Sequence, residues 1–184
     1  MKEQTLWTIG HSTLDIDVFC ALVDSFGIKQ LVDVRSLPGS RKFPQFNKES
    51  LSVSLAEAGI HYLHLPGLGG RRKANKNSRN TVWRNTSFRG YADYMETDEF
   101  KESAAELMDL AKRRPTCIMC SEAVWWRCHR SMIADYFKSK GWTVLHILSS
   151  TQVQEHPYTA PAKIIDELLV YGDGPETPAG NLFT

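Results

Sequence analysis

Thr116-Cys-Ile-Met-Cys120-Ser-Glu-Ala-Val-Trp-Trp-Arg-Cys-His-Arg130 is the stretch that decides how this chain folds. Residues 116–120 are a short apolar run after Pro115, the pattern of a strand buried on both faces. Met132, Ile133, Tyr136 and Phe137 then recur at helical spacing, so a helix is expected from about Cys128 to Lys140, stopped by Gly141. A buried strand that gives way to a helix is half of a βαβ unit. Open α/β sheets place their chemistry at that junction. Here it carries Cys120, Glu122, Cys128, His129 and Arg130 within eleven residues.

The same alternation continues in both directions. Leu6–Ile9 reads as a strand ending at Gly10-His11-Ser12. Val18, Phe19, Leu22, Val23 and Phe26 form one helical face, closed by Gly27. Gln30–Arg35 is a second strand. Asn47 can cap a helix carrying Leu51, Leu55 and Ala58, and Ile60–Leu65 is a third strand closed by Pro66-Gly67. Asp98–Lys112 is a clear amphipathic helix and Thr143–Leu148 a fifth strand. A last helix is expected after Thr159 and Pro161, with Ile164, Ile165, Leu168 and Leu169 on its apolar face. The fold class is therefore α/β: a single three-layer domain over residues 1–172 with a mainly parallel five-stranded sheet flanked by helices. A long basic loop spans about 67–90, and a helical region opens at Tyr91. Residues 173–184 are rich in Gly and Pro and are expected to be a loose tail.

Composition narrows the classes. The chain has 184 residues, 42% hydrophobic and 23% charged, ordinary for a globular domain. It lacks the long apolar run of a membrane span and an apolar leader, so no membrane partner and a cytoplasmic location are expected. Four cysteines do not make a disulfide scaffold, and Cys20 sits in a helical apolar pattern as a core thiol. Eleven Lys and Arg lie between Arg35 and Gly90 against Glu49 and Glu57, a local balance of +9 in a chain of net charge +1. Such asymmetry points to an anionic partner: a phosphate-bearing small molecule or nucleic acid.

Right-handed parallel crossovers bring all carboxyl strand ends to one edge. The candidate site follows. Cys120 is a candidate nucleophile and Glu122 an acid/base. His11 and Asp33 complete the catalytic set. Gly10, Ser12, Arg35, Arg41, Gly67, Arg71, Arg72, His129 and Arg130 are candidate ligand-binding groups, the arginines as an anion clamp. No cofactor is expected. A metal could use Cys120, Cys128 and His129, but Cys117 is excluded because it and Cys120 point to opposite faces of a strand. Cys128 reads as helix packing, and a Cys120–Cys128 redox pair is a further alternative. His61, His64 and His156 carry no separate signal.

Thr8-Ile-Gly-His-Ser12, Leu31-Val-Asp-Val-Arg35 with Pro38 and Ser40-Arg41, Phe88-Arg-Gly-Tyr-Ala92, and Cys120-x-Glu122-x5-Cys128-His-Arg130 occur in that order. Together they resemble the domain of unknown function 488 family from about residue 5 to residue 150. The resemblance implies an α/β fold with one shared site and supplies no reaction. A second likeness, to rhodanese-type domains, rests on Asp33-Val-Arg35 and on the strand ending in Cys120. Ser121–Trp126 is bulkier and more acidic than their compact loop, which argues against sulfur transfer.

The expectation is an enzyme that binds a phosphate-bearing ligand, a nucleotide or nucleic acid, at the carboxyl edge of the sheet. The alternatives are a non-catalytic nucleic-acid-binding module and a thiol-redox, metal or sulfur-transfer site.

Overall fold

The computed structural model describes residues 4–172. The expected tail at 173–184 lies outside them. The chain runs β1 (Thr5–Gly10), α1 (Ile16–Ser25), β2 (Gln30–Asp33), α2 (Lys48–Glu57), β3 (His61–His64), α3 (Thr86–Met95), α4 (Asp98–Arg113), β4 (Thr116–Cys120), α5 (Arg130–Ser139) and β5 (Thr143–Ile147). Three further strands follow: β6 (Val153–Glu155), β7 (Ala162–Ile165) and β8 (Leu168–Tyr171).

The main sheet has the order β3-β2-β4-β1-β5-β6, parallel throughout except for β6. The fold is α/β, as the alternation of elements requires. Strand β4 sits between β1 and β2, buried at every position. Its side chains alternate as the pleat demands. Cys117 and Met119 pack with Phe19, Val23, Leu51 and Leu55 beneath α1 and α2. Ile118 and Cys120 face the opposite layer, with Phe100, Leu107, Ile133 and Phe137 from α4 and α5. The strand-parity argument that separated Cys117 from Cys120 therefore holds.

Two elements differ from the sequence reading. A sixth strand, β6, pairs antiparallel with β5. Its three residues are too few for periodicity to reveal. The expected last helix is instead the hairpin β7–β8. Ile164, Ile165, Leu168 and Leu169 fit a helical face and a hairpin equally well, so spacing alone misleads here. The chain turns at Asp166 and Glu167, both at positive φ (49° and 64°), the geometry of a two-residue hairpin turn.

Smaller shifts matter near the site. Helix α3 begins at Thr86 because the Asn85 side chain accepts from Ser87 N and Phe88 N. Helix α5 begins at Arg130, after a 3-10 turn at Trp125–Arg127. Cys128 thus precedes the helix rather than lying in it.

Glu167 is exposed and held in the left-handed region, which favours glycine. Glu167→Gly is expected to raise stability by about 0.5–1 kcal/mol, measured by urea denaturation. A loss of stability would contradict the hairpin turn.

Candidate functional site

Three neighbouring strands, β2, β4 and β1, end together. Their ends are cross-linked by backbone: His11 N donates to Cys120 O at 2.9 Å, Ser12 N to Ser121 O at 3.0 Å and Val34 N to Met119 O at 3.0 Å. The 121–129 segment leaves this edge and is pinned by Arg130. That side chain is only 1% exposed. Its Nη2 donates to the Glu122 carbonyl at 2.6 Å and its Nη1 to Thr8 Oγ1 at 3.2 Å. Gly10 is the strand residue at this crossing. A Cβ there would collide with the Glu122 carbonyl and the Arg130 guanidinium, so only glycine fits.

No carboxylate lies within ion-pairing distance of Arg130 among the described residues, and its Nε has no partner. Two features answer its charge. The first is a buried chain of hydrogen bonds. Arginine only donates, so Thr8 Oγ1 accepts from Arg130 and gives its own proton to His146 Nδ1 at 2.7 Å. His146 Nε2 then donates to His156 Nδ1 at 2.9 Å, and His156 Nε2 to Asp135 Oδ1 at 3.0 Å. Asp135 also accepts from Thr159 and from Tyr171 Oη at 2.8 Å. Every proton in this series has one consistent place when both imidazoles are neutral. Burial holds His146 in that state, lowering it to about 2, with help from His156 and Arg130.

The second feature is Cys128. Its thiol is lowered to about 6, above all by a hydrogen bond from the Cys120 thiol. Burial opposes this, and the charge and N–H groups of Arg130 favour it. The Cys120 thiol is pushed up to about 12 by the same contact and by burial. The two thiols are thus shifted in opposite directions, with Cys128, just before α5, the lower. His129 is the third member. Its Nε2 donates to the Val34 carbonyl at 3.0 Å, so in the neutral ring Nδ1 is the acceptor in the 3.6 Å hydrogen bond with Cys128 Sγ. Gly70 covers this ring so closely that a Cβ would strike it. The sulfurs of Cys120 and Cys128 and a ring nitrogen of His129 all lie within 4.8 Å of one another. They are also the residues that can hold a metal ion among the described residues.

A cleft of about 270 Å³ opens onto these groups. Arg35, Arg71, Glu122 and Arg127 line it with Cys120, Cys128 and His129, and Phe88 and Tyr91 form an aromatic side. Arg71 and Arg127 are exposed, and neither guanidinium has an ion-pair partner among the described residues.

Of the residues singled out from the sequence, Cys120, Glu122, Arg35, Arg71 and His129 meet at the cleft. The others, Arg41 excepted, build its frame. Asp33 is fully buried and accepts from Arg35 Nη2 at 2.6 Å and Tyr62 Oη at 2.8 Å. His11 stacks on Phe46 at 4.1 Å, and burial lowers its imidazole to about 4. Ser12 makes a tight turn at φ 47°. Arg72 lies 3.5 Å from the centre of the Tyr94 ring and donates to Gly69 O. The Gly67 carbonyl accepts from Tyr94 Oη, and Ser103 leaves no room for a Cβ at Gly67. Arg41 is exposed and outside the cleft lining. The basic stretch after Gly70 is tied down by buried Asp93, which accepts from Asn75 N, Ser78 Oγ and Asn80 Nδ2. Sequence reasoning gave Cys128 only as helix packing, with a redox pairing to Cys120 or a metal-ligand role as alternatives, and missed the His146–His156–Asp135 series. No sequence signal marks Cys128 as a reactive group, because the burial of Arg130 and its lack of an acid emerge only in the fold.

The family model described as domain of unknown function DUF488 matches residues 15–137. The chain belongs to this family. The matched span holds Asp33-Val-Arg35 and the whole Cys120–Arg130 segment. Thr8 and Gly10, which meet Arg130, lie before it. No curated protein and no solved structure matches the chain. No helix among the described residues is long and apolar enough to cross a membrane.

Thr8 is the one link between Arg130 and the histidines, so its hydroxyl is testable. Thr8→Val keeps the side-chain shape but leaves Arg130 Nη1 and His146 Nδ1 without partners. A loss of about 1–3 kcal/mol in urea denaturation is expected, with Thr8→Ser close to wild type. A neutral Thr8→Val would contradict the hydrogen-bond series.

Proposed function

We propose that this chain is an enzyme that takes a phosphate-bearing ligand into the cleft and attacks it with the Cys128 thiolate. One observation carries the reading: a fully buried guanidinium without a carboxylate stands beside a cysteine that faces an arginine-lined cleft. Buried charge without compensation is costly. A thiolate at Cys128 supplies compensation and is at the same time the competent nucleophile.

The roles follow from position. Arg71 and Arg127 are uncommitted cations at the mouth and hold the anion. Arg35, already bonded to Asp33 and to the Phe46 carbonyl, contributes a fixed charge to the wall. His129 Nδ1 takes the proton when Cys128 is the thiol. Exposed Glu122 at the rim is the acid/base group placed to exchange a proton with the leaving group or the attacking water. Cys120, first read as the nucleophile, serves as the hydrogen-bond donor that steadies the thiolate. Phe88 and Tyr91 offer flat apolar surface to the remainder of the ligand, as a nucleotide base would need. No cofactor enters this scheme.

Two measurements test it. Alkylation of Cys128 by iodoacetamide, followed by peptide mass mapping, is expected to stay fast at neutral pH. It should fall away as pH drops through about 6, because the group is lowered and its thiolate is lost on the acid side. A rate that rises only near the ordinary thiol range would refute the thiolate. Nucleoside monophosphates and inorganic phosphate are expected to slow that alkylation. Arg71→Glu and Arg127→Glu should weaken this protection by about 10- to 100-fold. Protection unchanged in both, but lost on reversing Lys73 and Lys76 outside the cleft, would favour the nucleic-acid-binding surface instead.

A further inference from the structure

The two sulfurs at the head of the cleft are a matched pair, and their surroundings differ in a way that assigns each a part. Cys128 lines the cleft at the start of α5, next to Arg130 and with His129 Nδ1 3.6 Å from its sulfur. Cys120, at the end of β4, lines the same cleft with its sulfur within 4.8 Å, its backbone carbonyl accepting from His11 N. Cys20 and Cys117 are both on the opposite side of the sheet, in the layer beneath α1 and α2. They are not part of this pair. The segment between Cys120 and Cys128 begins with three exposed residues, Ser121, Glu122 and Ala123. Ser12 N on the Ser121 carbonyl and Arg130 on the Glu122 carbonyl hold that backbone, so the two neighbouring sulfurs reach bonding distance by side-chain rotation rather than by loop movement.

We infer that Cys120 and Cys128, whose sulfurs lie within 4.8 Å of each other at the cleft, form a reversible disulfide, with Cys128 as the attacking sulfur, Cys120 as the resolving one and a small-molecule disulfide as the oxidant. The inference rests on the same Cys128 thiolate as the proposed function and adds a second activity to it. In the first step Cys128 sulfur bonds to one sulfur of the small disulfide and expels the other as a thiolate. In the second, Cys120 gives its proton to His129 Nδ1 and attacks the Cys128 sulfur, expelling the second small thiolate, which takes that proton. One protein disulfide is formed and one small disulfide is reduced to two thiols, the first expelled thiolate taking the proton that Cys128 gave up and the second the proton from Cys120. Because Arg130 stabilises the reduced, anionic form, the bridge is one that ordinary thiols reopen readily. While closed, it removes the nucleophile from the cleft, so the state of the pair gates the proposed chemistry.

Oxidised glutathione, applied to the full chain and followed by intact-mass and peptide mapping, tests this. The wild-type protein is expected to lose the mass of two hydrogens, retain no glutathione and show one bridge between Cys120 and Cys128. Dithiothreitol should reverse it. Cys120→Ser is expected to stop at a stable glutathione adduct on Cys128, and Cys128→Ser to acquire none at Cys120. A retained adduct in the wild type, or a bridge that uses Cys20 or Cys117, would overturn the inference. Iodoacetamide run in parallel separates the two proposals. Cys128 that alkylates at neutral pH but never bridges sinks the disulfide alone. Cys128 that does neither sinks the nucleophile as well.

Discussion

Arg130 is the residue on which the carboxyl edge of this sheet depends. A guanidinium removed from water costs several kcal/mol unless its hydrogen bonds and charge are answered. Here they are answered by parts of the chain far apart in sequence. The Glu122 carbonyl fixes the loop after β4. Thr8 fixes β1 and, through His146, His156 and Asp135, draws in β5, α5 and the Tyr171 hydroxyl of β8. Gly10 is small because the guanidinium crosses it. In the proposed scheme a thiolate at Cys128 answers the charge left over, so the group that holds the loop in place is also one of those that lower its cysteine.

This explains why the cleft contains fewer of the expected binding groups than its sequence suggested. Charged residues at strand ends have two uses, and burial decides between them. Asp33 and Arg35 spend most of their hydrogen bonds on each other, on Tyr62 and on the Phe46 carbonyl. Arg72 is laid across Tyr94. These pairs form a rigid, charged wall, and a rigid wall is what a reactive thiol needs to stay aligned. The groups left to meet a ligand are the ones the fold does not consume: Arg71, Arg127 and Glu122.

Much of the architecture was legible because it rests on local patterns. The apolar run at 116–120, the helical face of α1 and the strand ending in Asp33 each fix an element, and their alternation fixes a parallel sheet. Strand parity separated Cys117 from Cys120 before any coordinates. What stayed hidden depends on pairing between distant segments. The apolar doublets at 164–165 and 168–169 suit a helix or a hairpin, and only positive φ at Asp166 and Glu167 settles the matter. His146 and His156 looked ordinary because their meaning lies in Thr8 and Asp135. Cys128 was read as packing because helix α5 was started two residues too early; outside the helix, its sulfur is free to face Cys120 and the cleft.

The central proposal is that the Cys120 thiol and Arg130 together keep an anionic sulfur at Cys128 near neutral pH. Ultraviolet absorbance of the thiolate, titrated in the native protein and in Cys128→Ser, tests it most directly. The account requires one thiolate per chain that persists down to a midpoint near pH 6 and is absent from Cys128→Ser. A native protein whose thiolate signal appears only in the alkaline range of a free thiol, or a signal that survives in Cys128→Ser, would contradict it.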